Sequence, residues 1–397
     1  MEEIRIGVLG NVDSGKSTLI SVLKNKILDN GRGSARSTIF KHKHEQDTGR
    51  TSSLSHHFLE DNNKLISFID LAGHEKYLKT TIFGLNACSL DYVMLLVGSN
   101  MGILKMTKEH LGLALALKIP IITVVTKVDI CPEPILKQNM DLLAKILSQP
   151  YIGKKIIHIE DNNTLETVDY NKFMPVIKVS NTKGLNIDLL RNNILKLRST
   201  KNWSTLREEK KLIVVEDKFN VPGIGVVVSG VVNSGVINIG DKLKMGPFRG
   251  MYVDIIVKSI HDNFRNPITK LSAGYSGCFN IKCLDKKFVF RKSVFKKGVV
   301  MIDNNKIFNR SYREFLANIT ILHHPTTIRL NYEPIIHCGS ISQSAKIFFM
   351  DSELLRTGDN ANIKFRFKNH PEFIEKNSKL IFREGRTKGI GYIKEVY

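Results

Sequence analysis

The sequence predicts an α/β domain, a mostly parallel sheet with helices on both faces, followed by two small β-barrels. Through about residue 198, short apolar runs alternate with segments of helical periodicity, as a sheet covered on both sides demands. Beyond residue 211 the texture changes to short strands broken by turns such as Asn233-Ser234-Gly235 and Asn238-Ile239-Gly240-Asp241, which is all-β and most simply a barrel. At 397 residues the chain exceeds one ordinary core, so two or three domains are expected.

The expected strands of the first domain are Ile4 to Leu9, Leu65 to Asp70, Tyr92 to Val97, Ile119 to Val125 and Val176 to Val179. Its expected helices are Lys16 to Leu28, Met106 to Leu117, Pro134 to Leu147 and Leu185 to Leu197. Residues Asn30 to Ser55 show little apolar periodicity and carry Gly31, Gly33 and Gly49; a loop of that length in a compact domain reads as a ligand-sensing switch. The domain is placed at 1–200. Lys201 to Lys211, charged and polar around a lone Trp203, reads as a linker. The first barrel, 212–305, starts with strands at Leu212 to Val215, Gly225 to Val232, Val236 to Ile239 and Tyr252 to Ile256. The second, 306–397, has alternation at Phe315 to Leu322, Ile363 to Phe367 and Leu380 to Phe382.

A composition of 42% hydrophobic and 24% charged residues is that of a folded chain rather than a disordered one. No apolar run approaches the roughly 18 residues that span a bilayer, so no membrane association is expected. Met1-Glu2-Glu3 leads straight into a strand without room for a leader, and a cytoplasmic location and a monomer are expected. The five cysteines show no CxxC spacing and read as reduced thiols. His42 with His44, and His323 with His324, lack a third ligand, so no metal is expected there. Of the net charge of +21, residues 1–200 carry 26 Lys+Arg against 20 Asp+Glu, and residues 201–397 carry 33 against 18. The excess lies in the barrels and favours a polyanion, with nucleic acid ahead of membrane.

Directly after the first strand comes Gly10-Asn11-Val12-Asp13-Ser14-Gly15-Lys16-Ser17-Thr18. The spacing Gly10-x4-Gly15-Lys16-Ser17 turns a strand into a helix so that backbone N–H groups and the positive helix end face one point, the phosphate cradle of a P-loop. Lys16 would place its charge between the β- and γ-phosphates, and the Ser17 hydroxyl would ligate Mg²⁺. Asp70-Leu71-Ala72-Gly73 at the tip of the next strand is a common turn by itself; one β-unit after a P-loop it is specific. Asp70 would hold a Mg²⁺-bound water, and the Gly73 N–H would sense the γ-phosphate. Thr126-Lys127-Val128-Asp129 follows a buried strand, and the Asp129 carboxylate matches the N1–H and 2-amino donors of guanine, with the Lys127 stem over the base. Val179-Ser180-Asn181 would offer a backbone N–H to the guanine O6.

With these motifs the chain resembles the elongation-factor-Tu superfamily of translational GTPases. Leu28-Asp29-Asn30-Gly31-Arg32-Gly33, His42-Lys43-His44-Glu45 and Gly49-Arg50-Thr51-Ser52-Ser53 are similar to its GTP-binding-protein one and two class. Gly223 to Gly230 resembles the second-domain barrel of these factors and Arg383 to Gly391 the end of the third, so the likeness spans nearly the whole length. The resemblance implies GTP and GDP with Mg²⁺ as ligands and GTP hydrolysis as the reaction. It also implies Thr51 as the switch threonine over Mg²⁺, His74 as the residue orienting the attacking water, and Asp13 as a residue that helps place a monovalent cation. The ribosome, tRNA or other RNA would be the partner of the basic barrels. Alternative expectations are a GTP-dependent RNA-binding or mRNA-surveillance factor, and a GTPase subunit of a metabolic enzyme; ribosomes should stimulate a translational GTPase, RNA alone a surveillance factor, and a metabolic subunit should co-purify with its enzyme.

The sequence departs from the family in two respects. Thr126 stands where most GTPases have asparagine; a single hydroxyl is expected not to tie the base loop to the P-loop as a carboxamide does, giving looser nucleotide holding and fast exchange. The long charged segment that precedes the GTPase domain in some class members is absent, which puts in doubt any function that resides there.

Overall fold

The computed structural model describes residues 2–38, 54–61, 64–149, 152–285, 287–290, 295, 298–304, 310–384 and 387–397. Contacts divide the chain into two compact units, Met1–Leu85 with Leu90–Lys201, and Asn86–Ser89 with Asn202–Tyr397.

The first unit holds a seven-stranded sheet of β1 (Glu2–Gly10), β2 (Ser55–Asp61), β3 (Lys64–Asp70), β4 (Tyr92–Gly98), β5 (Ile121–Thr126), β6 (Lys155–His158) and β7 (Phe173–Lys178), in the order β2-β3-β1-β4-β5-β7-β6. Only β2 runs antiparallel, paired with β3 from Ser55↔Asp70 to Asp61↔Lys64. The central strands β1 and β4 are buried along almost their whole length, which is why they read as unbroken apolar runs. Helices α1 (Lys16–Asn25) and α7 (Ile187–Lys196) cover one face: Leu19, Ile20, Leu23, Leu190 and Ile194 join Ile4, Ile6, Val8 and Phe68 in one cluster. Between them in the chain come α2 (Ser34–Ser37), α3 (Leu78–Ala87), α4 (Lys105–Ala116), α5 (Glu133–Leu147) and α6 (Thr164–Thr167).

Register decides where the motifs meet. Val8 pairs with Asp70, Gly10 with Leu96, and Gly98 with Thr126, so the carboxyl ends of β1, β3, β4 and β5 share one edge. From β1 the chain passes to the strands on one side of the sheet and from β4 to those on the other. The crevice outside the ends of β1 and β4 is therefore the point at which a doubly wound sheet takes a ligand.

In the second unit, β8 (Leu212–Val221), β9 (Gly225–Ser234), β15 (Ser276–Cys283), β12 (Met251–His261), β11 (Lys242–Phe248) and β16 (Val300–Asp303) pair in that order, and β16 returns to β8 to close a barrel. A second closed barrel has the order β17 (Glu314–His323), β20 (Asn360–Phe367), β19 (Ile341–Met350), β18 (Ile335–Cys338), β21 (Lys379–Glu384), β22 (Thr387–Val396). The fold is thus the expected α/β domain followed by two β-barrels, each closed by six strands.

The segment 201–211, expected as a linker, carries the short helix α8 (Trp203–Glu208), and Trp203, 9% exposed, belongs to the core of the first barrel. Its indole is too large an apolar surface to leave in water when a barrel end is open beside it. Among the described residues no helix is long and apolar enough to cross a membrane.

Candidate functional site

The cradle forms because β1 stops at Gly10 and three residues take positive φ before the helix: Gly10 at 147°, Asp13 at 60° and Gly15 at 83°. Gly15 occupies the N-cap of α1 in the left-handed region that a Cβ disfavours, which aims the first turn at the loop. Among the described residues, the N–H groups of Asp13 and Gly15 have no acceptor within the protein. Ser14 closes the loop on itself, its hydroxyl donating to Asn11 O at 2.8 Å; half-buried Val12 lies at its crown.

Lys16 is buried, and its ammonium donates to Gly10 O at 3.2 Å and Asn11 O at 2.9 Å, folded across the cradle mouth. Burial lowers its pKa, opposed by the charges of Asp70 and Asp13. A cation held by carbonyls in a dry place is poised for an anion that would satisfy it better. The Ser17 hydroxyl donates to Asp70 Oδ2 at 2.6 Å, so the two oxygens expected at the metal already converge, and a pair of hard oxygen donors fits Mg²⁺. Gly73 lies against the loop so closely that a Cβ there would stand 2.6 Å from both Gly10 O and Lys16 Nζ.

His74 is exposed; its Nδ1 accepts from Lys76 N at 3.1 Å and caps the turn Glu75–Tyr77. The ring is engaged with its own loop and makes no hydrogen bond to the cradle. Thr51, expected over the metal, lies outside the described residues, as do His42 and His44.

At the other end of the crevice, Lys127 sits at φ 61° and starts the turn that presents Asp129. Asp129 Oδ2 accepts from Thr182 Oγ1 at 2.9 Å. Partial burial pushes the Asp129 pKa up, but hydrogen bonds from Ser180, Thr182 and its own backbone, with the Lys183 charge, bring it below the ordinary value. It is thus ionised at neutral pH, an acceptor for paired donors. Of the expected backbone donors, Val179 N–H is taken by Val125 O at 2.8 Å and Ser180 N–H by Leu185 O at 3.2 Å. Of the three, only the Asn181 N–H has no partner among the described residues.

Thr126 corrects an expectation. Its hydroxyl, fully buried, donates to Ser14 O at 2.8 Å, with Val97 O at 3.5 Å. The base loop and the P-loop are tied after all, because joining a carbonyl needs one well-placed donor and not a carboxamide's two. Sequence reasoning also missed His110, an α4 residue with no exposure whose Nδ1 accepts from Gly10 N at 3.3 Å. The signal was available, a histidine on the apolar face of an expected helix.

Asp13, Gly15, Thr18, Lys127, Asp129, Ile130, Asn181 and Thr182 line one cleft of about 310 Å³, together with Asp29 and the residues that follow it. That volume is at the lower end of small-molecule sites, roughly 300 to 1,000 Å³. The cleft thus joins residues of the P-loop, Asp13, Gly15 and Thr18, to the loops that carry Asp129 and Asn181.

Residues 1–200 match the family model described as the elongation factor Tu GTP binding domain. Over 426 residues the chain is 42% identical to GTP-binding protein 1 of Xenopus laevis, aligning 99% of this chain with 63% of that protein. It is 38% identical over 427 residues to GTP-binding protein 2 of Mus musculus, with 99% of this chain and 69% of that protein covered. It thus spans about two thirds of the length of these relatives. Among solved structures, the translation elongation factor SelB of Methanococcus maripaludis in complex with the GTP analogue GppNHp superposes with a TM-score of 0.74 at 19% identity, covering 100% of this chain and 80% of SelB. A bacterial selenocysteine-specific elongation factor gives 0.73 at 23%, covering 99% of this chain and 58% of that one. These two likenesses establish the fold. The family model and the full-length relatives establish more: the chain belongs to the GTPases built on the elongation factor Tu GTP-binding domain, in the class of GTP-binding proteins 1 and 2.

Proposed function

We propose that the protein is a molecular switch that binds GTP and hydrolyses it to GDP and phosphate. The observation that carries this reading is the convergence, along one sheet edge, of Lys16, the Ser17–Asp70 oxygen pair and Gly73 with ionised Asp129 across the same crevice. Lys16 would leave its two carbonyls for the β- and γ-phosphate oxygens. Ser17 and Asp70, joined by Thr51, would hold Mg²⁺, which neutralises charge on the transferred phosphoryl group. Gly73, lacking a side chain, lets its N–H approach the γ-phosphate. Asp129 takes the N1–H and 2-amino group of guanine, and the Asn181 N–H meets O6; adenine, without that donor pair, leaves the carboxylate unmatched. Asp13, exposed at the cradle rim, is where a monovalent cation would sit.

His74 must leave its own turn to orient water, so hydrolysis by the isolated protein should be slow and a large partner should accelerate it. The elongation-factor neighbours and the 33 basic against 18 acidic residues beyond position 200 support the ribosome with tRNA as that partner, the basic barrels meeting RNA phosphates. GTP turnover with and without purified ribosomes, in wild type and His74→Ala, tests this. Ribosomes should stimulate the wild type and fail to stimulate the variant. Stimulation by RNA alone would favour an RNA-surveillance role, and no response to ribosomes removes the translational reading. Asp129→Asn should swing preference from GTP toward xanthosine triphosphate; wild-type protein that accepts ATP as readily as GTP would overturn the guanine assignment.

A further inference from the structure

The cleft has a third wall that neither the phosphate nor the base motifs supply. After α1 the chain turns at Lys26, and Asp29, 8% exposed, gathers the next residues around its carboxylate. Oδ2 accepts from Gly31 N at 2.8 Å and Gly33 N at 3.2 Å; Oδ1 accepts from Ala35 N at 2.9 Å and Ser34 Oγ at 3.5 Å. The Asp29 N–H donates to Asn181 O at 2.9 Å, so this ring is pinned to the loop that faces the base. Farther on, Thr38 Oγ1 is stitched to α1 through Ser21 Oγ at 3.0 Å and Asn25 Nδ2 at 3.1 Å.

The ring delivers two guanidinium groups. Arg32 and Arg36 both line the cleft that holds Gly15, Thr18 and Asp129. Arg36, half-buried, lies directly on the backbone of the ring: a Cβ on Gly33 would stand 2.5 Å from Arg36 Nε. A nucleotide with guanine at Asp129 and its β-phosphate at Lys16 would pass its ribose and α-phosphate through this cleft, whose lining includes both arginines. Asp13, Asp29 and Asp129 also line the cleft, and a diphosphate would be repelled there without nearby cations to offset them.

We propose that Arg36, assisted by Arg32, clamps the ribose and α-phosphate of the bound guanine nucleotide, with Asp29 as the positioning residue that holds both arginines in place. Release of GDP then requires the Asp29 ring to open, and the contact between Asp29 and Asn181 makes base and sugar let go together. This rests on the guanine-nucleotide reading above and adds to it the group that limits exchange.

The test is release of tritiated GDP from the full chain. Loss of a charge-assisted hydrogen bond corresponds to about a tenfold to hundredfold change, so Arg36→Ala should speed release by roughly that factor. Arg32→Ala, at the exposed position, should have a smaller effect, and Asp29→Asn should approach the double variant Arg32→Ala/Arg36→Ala. Competition by GMP and guanosine supplies a readout that a merely structural role would not move: wild type should favour GMP, and Arg36→Ala should lose most of that preference. Arg36→Gln keeps much of the stem, and if Arg36→Ala fails to fold it carries the same comparison. Release within twofold of wild type in the double variant, or an unchanged ratio of GMP to guanosine affinity, overturns the clamp. Should wild type bind no GDP, or should Asp129→Asn leave GDP affinity unchanged, it is the guanine reading that falls.

Discussion

Thr126→Val isolates the tie between the two halves of the nucleotide site. The side chain is fully buried and valine has nearly its shape, so the substitution opens no cavity and removes only what the hydroxyl donates, the 2.8 Å hydrogen bond to Ser14 O and the long 3.5 Å contact with Val97 O. Ser14 is itself 2% exposed, so its carbonyl would lose a partner where little water can replace it. Leaving a buried acceptor unsatisfied costs about 1–3 kcal/mol. Taking about 2 kcal/mol as the middle of that range, local opening of the P-loop should become roughly thirtyfold more frequent. Hydrogen exchange of a peptide spanning residues 10–18 reads this directly, and Thr126→Ser should restore the wild-type rate. GDP affinity, measured with tritiated nucleotide, should weaken severalfold because the cradle is no longer held ready. Thr126→Asn should not tighten binding, since the tie it would supply already exists. Exchange and affinity in Thr126→Val that match wild type would refute this reasoning; a tenfold tightening in Thr126→Asn would restore the looser-holding expectation.

Burial, aided by the charge of Lys16, lowers the His110 pKa from 6.5 to about 3, so the imidazole is neutral in the folded state. In the unfolded chain it takes a proton below about pH 6.5, and folding stability should fall by up to about 1.4 kcal/mol per pH unit between there and pH 3 on this account. His110→Asn, whose Oδ1 can accept from Gly10 N, should flatten the loss of melting temperature between pH 7 and pH 5; identical acid slopes would exclude His110 as the source. Gly73→Ala would press a methyl against Gly10 O and Lys16 Nζ, each 2.6 Å from the new carbon, and against Asn11 C at 2.8 Å. Equilibrium binding of a non-hydrolysable GTP analogue should weaken about tenfold or more, since roughly 1–3 kcal/mol of overpacking falls on the cradle. Unchanged binding would mean that the contact is not kept in the bound state.

Where burial and periodicity agreed, the fold was legible: β1, β3, β4 and β5 announce themselves as apolar runs, and the motifs at their ends lie on one sheet edge. The missed elements carry residues that disguise them. In β2 the buried positions are Ser55, His57 and Leu59, so its alternation is masked by polar side chains. α3 contains Gly84, where a Cβ would come within 2.4 Å of Leu71 Cδ2 and 2.7 Å of Leu54 Cδ2; packing demands the residue that weakens the helical signal. β22 has Gly391, where a Cβ would be 1.9 Å from Asn318 O, and its glycines read as turns when they are close strand contacts. At the site, donor-counting described Thr126 as too poor to tie two loops, because distance decides that question and sequence holds no distances. The Asp29 ring escaped for a similar reason: its chemistry belongs to four donors that only the folded turn brings to one carboxylate.

Trp203 is the chain's single tryptophan and is packed in the core of the first barrel. Its fluorescence therefore monitors the second unit alone, while far-ultraviolet circular dichroism weighs both. A denaturation titration followed by the two probes will show coincident curves only if the units melt as one cooperative body. If the curves separate, the emission trace belongs to the barrels, and a shift of that trace when GDP is added would be an optical signature of communication from the nucleotide domain, obtained without attaching any label.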